Sequence, residues 1–152
     1  MTSYNSYIDT NVYGRMQLRK MKFKESFKPS MAEKIDENLL YFNYYEDLSI
    51  NYRMYSYWKF FRSGQYASFR SETDNMDLND LKKAKFVGYY NIIDNEIFIE
   101  FPNTSFNKAG KKLILKFELN EQGIKEIRNK HDTQVIYKKI PAKELKPVSP
   151  DW

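Results

Sequence analysis

From Leu113 to Leu119 the chain places apolar residues at every second position, Leu113, Leu115, Phe117 and Leu119, with Ile114, Lys116 and Glu118 between them. A period of two sets the odd-numbered side chains on one face of a strand, and that face is the one expected to be buried. Asn120-Glu121-Gln122-Gly123 follows as a turn, Ile124 to Arg128 runs back, and Thr133 to Lys139 reads as a closing strand. Two earlier hairpins obey the same logic. Tyr55, Tyr57, Trp58, Phe60 and Phe61 precede Arg62-Ser63-Gly64-Gln65, where Gly64 supplies the positive φ of a tight turn, and Tyr66 to Phe69 resume the β composition. Phe86 to Ile93, the turn Asp94-Asn95, and Glu96 to Phe101 form the next, since Asp and Asn tolerate left-handed backbone better than most residues.

Upstream, Leu39 to Tyr45 is aromatic-rich and strand-like. Ser30 and Glu33 have the spacing of a capping box, which predicts a short helical turn through Asp36. Asp77 before Leu78, with Asp80 three residues on and Leu81 and Ala84 at helical spacing, predicts a two-turn helix or lid between the first two hairpins. Residues 1–29 are polar, Tyr-spotted and without sustained period, and read as a flexible tether or arm; residues 30–141 form the β-domain, and 142–152, with Pro147 and Pro150, a tail. The fold class is mainly β: an antiparallel up-and-down meander of about eight strands with one short helix, which closes as a barrel or curls strongly as a sheet.

Composition sharpens this picture. Thirteen Tyr and 11 Phe bring the aromatic share to 17%, and such rings suit a pleated surface on which Tyr buries its ring and keeps its hydroxyl wet. The formal charge of +5 comes largely from basic residues near both ends, Arg15, Arg19 and Lys20 early and Lys138, Lys139, Lys143 and Lys146 late. They alternate with Glu and apolar residues, which is the pattern of solubilising charge. There is no cysteine, so disulfides, thiolate metal sites and cysteine nucleophiles are excluded. The first 25 residues lack the apolar core of a signal peptide, and no stretch approaches the roughly 20 apolar residues of a membrane helix.

The segment Tyr55 to Phe69, YSYWKFFRSGQYASF, resembles the strand-turn-strand signature of small lipocalin-like (calycin-type) proteins of the bacterial envelope. Phe86-Val87-Gly88-Tyr89-Tyr90 with Asp94-Asn95-Glu96-Ile97 is similar to the next hairpin of that family, and Val135-Ile136-Tyr137 to its last strand. The resemblance spans residues 39 to 140 and implies an eight-stranded barrel whose cavity accepts apolar ligands. It further implies a lipid-anchored tether and a cell-envelope location, periplasmic or surface, for a mature form. The cysteine that carries the lipid in that family is missing here, so a cytoplasmic location stands as the alternative.

Tyr57, Trp58, Phe60, Tyr66, Tyr90, Phe98, Phe117 and Tyr137 fall on the predicted strands and are the candidate ligand-binding residues, with Tyr hydroxyls as the polar handles. The competing reading is that these rings simply fill the core, because an eight-stranded barrel is just wide enough to be filled or to hold one small ligand. No catalytic or metal-binding set emerges, and no cofactor is implied. His131 is the single histidine and sits in a turn, G-x-S-x-G and glycine-rich phosphate loops are absent, and Asp74, Asp77 and Asp80 do not have the spacing of an EF-hand loop. Lys85 to Tyr90 mixes a cation with rings, but not in the order of the common RNA-binding signature, which argues against a nucleic-acid partner. The expectation is therefore a non-enzymatic binding protein for a small apolar ligand or a partner protein. Its rivals are a packed β scaffold without a cavity and a single-strand nucleic-acid binder.

Overall fold

The structure is a computed structural model that describes residues 22–100, 114–127, 135–141 and 150. Eight antiparallel strands close into one barrel in sequence order. They are β1 (Leu39–Asp47), β2 (Tyr52–Phe60), β3 (Gln65–Ser71), β4 (Phe86–Ile93), β5 (Glu96–Glu100), β6 (Ile114–Leu119), β7 (Gly123–Glu126) and β8 (Ile136–Pro141). Each strand pairs with its predecessor, and β8 returns to β1 through Leu40 opposite Ile140 and Phe42 opposite Lys138. Closure leaves no edge strand, which removes the row of unpaired backbone groups that an open sheet presents.

The alternation that predicted these strands decides which residues fill the barrel. Phe117 is fully buried, and Leu115 and Leu119 pack half-buried against the same core, while Ile114 and Glu118 face outward. Leu113, the first residue of that expected run, lies outside the described residues, as do Phe101, Arg128, His131 and the tail apart from Pro150. The turns form as expected: Gly64 takes φ +90, and the two-residue Asp94-Asn95 turn places Asp94 at φ 57.

One end of the barrel is plugged from the N-terminal side. Residues 1–21 of the expected arm lie outside the described residues, but from Lys22 onward the segment packs on the barrel. Two short helices, α1 (Lys22–Ser26) and α2 (Pro29–Ala32), lead to Phe27, Met31 and Ile35, which join the interior core. The Phe27 ring meets Tyr90 edge-on at 5.4 Å and lies over Gly64, where an added Cβ would stand 2.6 Å from the ring. A second apolar cluster covers the outside of β3 and β4, where Phe69, Val87 and Tyr89 pack under Leu81 and Ala84 from the β3–β4 connection.

Two local expectations are corrected. Helix α2 does not begin on a Ser30 capping box: Pro29 occupies its first turn, and Lys28 stands at the cap position without a side-chain cap. The fixed φ of Pro29 is itself a good helix start, so no hydroxyl is needed. The two-turn helix expected after Asp77 is instead a 3₁₀ turn at Leu81–Lys83, capped by Asp80, which accepts from the Lys82 N–H. Asp77 accepts from the N–H of Asn79, two residues on, and this local turn competes with a helix at that point.

Candidate functional site

Six of the eight candidate residues turn inward, and their rings touch. Trp58 lies parallel to Phe60 at 6.2 Å and contacts Tyr66 at 5.5 Å, Phe117 at 5.3 Å and Tyr137 at 6.3 Å. Phe60 meets Tyr90 edge-on at 5.1 Å. The contacts of Trp58 with Phe117 and Tyr137 and of Phe60 with Tyr90 are edge-to-face, a favoured geometry for quadrupolar rings, and together the rings make a packed floor across the barrel. Tyr57 and Phe98 are not part of it. Tyr57 pairs with Phe42 and Phe69 on the outer face, and Phe98 stands outside beside Lys116, whose ammonium lies 5.6 Å from the ring centre.

Two of the tyrosine hydroxyls expected to orient a ligand are already engaged. Tyr66 Oη donates to the Glu100 carbonyl at 3.1 Å and Tyr90 Oη to the Phe61 carbonyl at 2.5 Å, so each bonds to backbone. Burial, with the Glu100 carboxylate nearby, pushes the Tyr66 phenol well above its usual range; burial, with Glu37 adding, raises Tyr90. Both stay protonated donors at neutral pH.

The interior changes character one step beyond the floor, moving away from the plugged end. The next inward residue after Tyr41 on β1 is Asn43, after Trp58 on β2 it is Ser56, after Tyr66 on β3 it is Ser68, and after Tyr90 on β4 it is Gly88. Four neighbouring strands thus replace a ring by a small residue at the same step. On the facing half, Ile99, Leu115 and Val135 continue the apolar lining, with Glu126 beside them on β7. Farther out, the inward positions grow again with Met54, Arg70 and Phe86.

Two of the small residues are buried hydroxyls, Ser56 at 7% and Ser68 at 1% exposure. Neither hydroxyl is hydrogen-bonded to another described residue, and neither is the indole N–H of Trp58 between them. Asn43 turns its amide to the Ile136 carbonyl at 3.0 Å. A buried polar group without a protein partner costs free energy, and the arrangement is the one expected where a guest or water supplies the missing bond. Chemically, this half of the barrel sets two buried hydroxyls opposite aliphatic side chains. Among the described residues no group of three His, Cys, Asp or Glu side chains is placed to hold a metal.

Composition does not single out these small residues, because they carry neither ring nor charge. The signal existed: Ser56 and Ser68 stand two positions from Trp58 and Tyr66, on whichever face those rings occupy. No protein-family model, curated protein or solved structure matches this chain.

Proposed function

We propose that this chain is a non-enzymatic, lipocalin-like binding barrel that holds one small, largely apolar molecule beyond the ring floor. The observation that carries the reading is the step from rings to Asn43, Ser56, Ser68 and Gly88 on four neighbouring strands, facing the aliphatic lining of Ile99, Leu115 and Val135. The change from rings to small side chains supports an interior site there, and the hydroxyls of Ser56 and Ser68, which bond to no other described residue, favour a guest with an acceptor oxygen on an apolar body. Binding is favoured over catalysis because no base among the described residues bonds either hydroxyl, the contact that would activate a nucleophile. The resemblance of the hairpins extends the proposal to the cell envelope, which fractionation of the producing cell would test.

Trp58 reports on this site directly, since its ring is the floor. In a Trp152→Phe background, which leaves Trp58 the single emitter, titration with fatty acids and retinoid-like probes is expected to quench or shift its emission, and Ser68→Phe, which puts a ring at the small-residue step, is expected to abolish the response while the fold persists. The second reading, a packed scaffold that works through its surface, is favoured by the four rings already in contact with Trp58. A Trp58 signal that no apolar probe moves would decide for it.

A further inference from the structure

Four of the six large apolar side chains that stand exposed among the described residues lie in one place, the other two being Ile93 and Ile114. Tyr44, Tyr45, Leu48 and Ile50 all belong to the β1–β2 hairpin, and Leu48 and Ile50, at its apex, are 73% and 69% exposed. Single exposed apolar residues need no explanation, but a contiguous exposed patch marks a surface that meets something. Behind the apex the hairpin carries a collar of phenols on both faces. Tyr44 meets Tyr55 at 4.7 Å on the outer face, and Tyr45 meets Tyr52 at 5.9 Å on the inner one.

We infer that the β1–β2 hairpin is a shallow membrane-docking tip that places Leu48 and Ile50 among the acyl chains of a zwitterionic bilayer and its tyrosine collar at the headgroups. The order of side chains along the hairpin is the argument. Aliphatic groups come first and amphipathic phenols one step behind, which follows the polarity gradient from hydrocarbon to interface. A protein partner would not require that order.

The backbone at the apex suits the same environment, since unsatisfied polar groups are costly in hydrocarbon. Asp47 accepts from both the N–H and the hydroxyl of Ser49, at 3.0 and 2.6 Å, and the Asn51 N–H returns to the Leu48 carbonyl at 3.3 Å. Asn51 takes the left-handed conformation at φ 51, which lets three residues close the turn. Charge within the hairpin does not favour an anionic surface: Glu46 faces Arg53 across the ladder, and Asp47 adds a further carboxylate. A zwitterionic surface is therefore the partner, and binding should respond weakly to salt.

The test uses the full chain and vesicles of phosphatidylcholine, with a parallel set containing phosphatidylglycerol. Co-sedimentation is expected with both, and the double substitution Leu48→Ser with Ile50→Ser is expected to lower the partition about tenfold or more. Because the chain has no cysteine, a single engineered thiol can carry an environment-sensitive dye without competition. A dye on Leu48→Cys should shift to the blue and brighten with vesicles. The same dye on Ile93→Cys, an exposed site at the end of β4 beside the turn at the opposite end of the barrel, should not respond. Far-ultraviolet circular dichroism verifies that each variant keeps the β-barrel. The inference is overturned by absence of vesicle binding, by binding indifferent to the double substitution, or by a response at position 93 alone. Concentration-dependent dimerisation that the double substitution removes, without vesicle binding, would assign the tip to a second copy of this chain and overturn it equally.

Discussion

The carboxylate of Glu100, buried at 2% exposure on the outer face of β5, accepts the backbone N–H of Phe23 at 3.1 Å. Its neighbour Asn91 on β4 donates its amide to the Phe23 carbonyl at 3.1 Å, so two adjacent strands hold both polar groups of one residue in α1. Five residues are too few for a helix to stand alone, and these bonds give α1 its place. Replacing Glu100 by Leu and Asn91 by Ala should each cost about 1–3 kcal/mol. The double variant should cost less than the sum, because both act through Phe23. Urea denaturation of the four proteins of this cycle measures the coupling, and strict additivity would mean that the two bonds are independent.

Barrel closure depends on an equally local contact. At Gly123 an added Cβ would stand 1.9 Å from the Tyr137 carbonyl oxygen, within the β7–β8 pairing that seals the barrel. Gly123→Ala must therefore push β8 away. The expected loss is on the order of 3 kcal/mol, larger than most single methyl insertions, because backbone and not a flexible side chain is in the way. A denaturant midpoint unchanged from the parent would contradict the close approach.

The adjacent pair Tyr57 and Trp58 measures how far sequence alone could reach. Strand periodicity demands that one faces in and the other out, and both were candidates for the interior. Pairing settled it: Tyr41 opposes Trp58 inside, whereas Phe42 opposes Tyr57 outside. Truncating Trp58 to Ala should cost about 3–5 kcal/mol, and truncating Tyr57, half-buried against the outer cluster, about 1–2. Thermal unfolding of the two variants is the check.

The same reasoning separates what was legible from what was not. Strand positions and three hairpin turns could be placed because alternation and turn chemistry are local, as at Phe117 and Gly64. The absence of an ordinary helix at Asp77 could not, because an Asp there suits a helix cap and a local turn alike. The docking of Phe27 over Gly64, and the row formed by Asn43, Ser56, Ser68 and Gly88, depend on register between strands, and no single strand carries that information.

Alkaline pH should destabilise the fold. Burial raises the phenols of Tyr41, Tyr66, Tyr89 and Tyr90 above their ordinary value of 10.0. A group whose folded pKa is raised holds its proton longer when folded, so its stabilisation is complete below pH 10 and is lost as pH rises toward the folded value. Lys59 acts in the opposite sense. Burial lowers its pKa from 10.5, so its penalty disappears as pH rises through that window, but one lysine opposes four phenols. Phenolate absorbance should show a late step that coincides with loss of the folded signal, and the denaturant midpoint should fall between pH 9 and pH 11, values chosen to straddle the ordinary tyrosine pKa of about 10.

Ser68 distinguishes a binding chamber from a packed core. Its hydroxyl is buried at 1% exposure with no bond to another described residue, so among these residues nothing offsets its desolvation. Ser68→Ala should leave stability within about 0.5 kcal/mol of the parent or raise it by about 1, since an unpaired polar group is removed and little volume changes. The same change should weaken an oxygen-bearing apolar probe about fivefold to thirtyfold, the effect of losing one hydrogen bond of about 1–2 kcal/mol. Loss of stability by more than 1 kcal/mol would show instead that the hydroxyl serves the fold. Stability kept and affinity lost would place Ser68 where function, not packing, determines the residue.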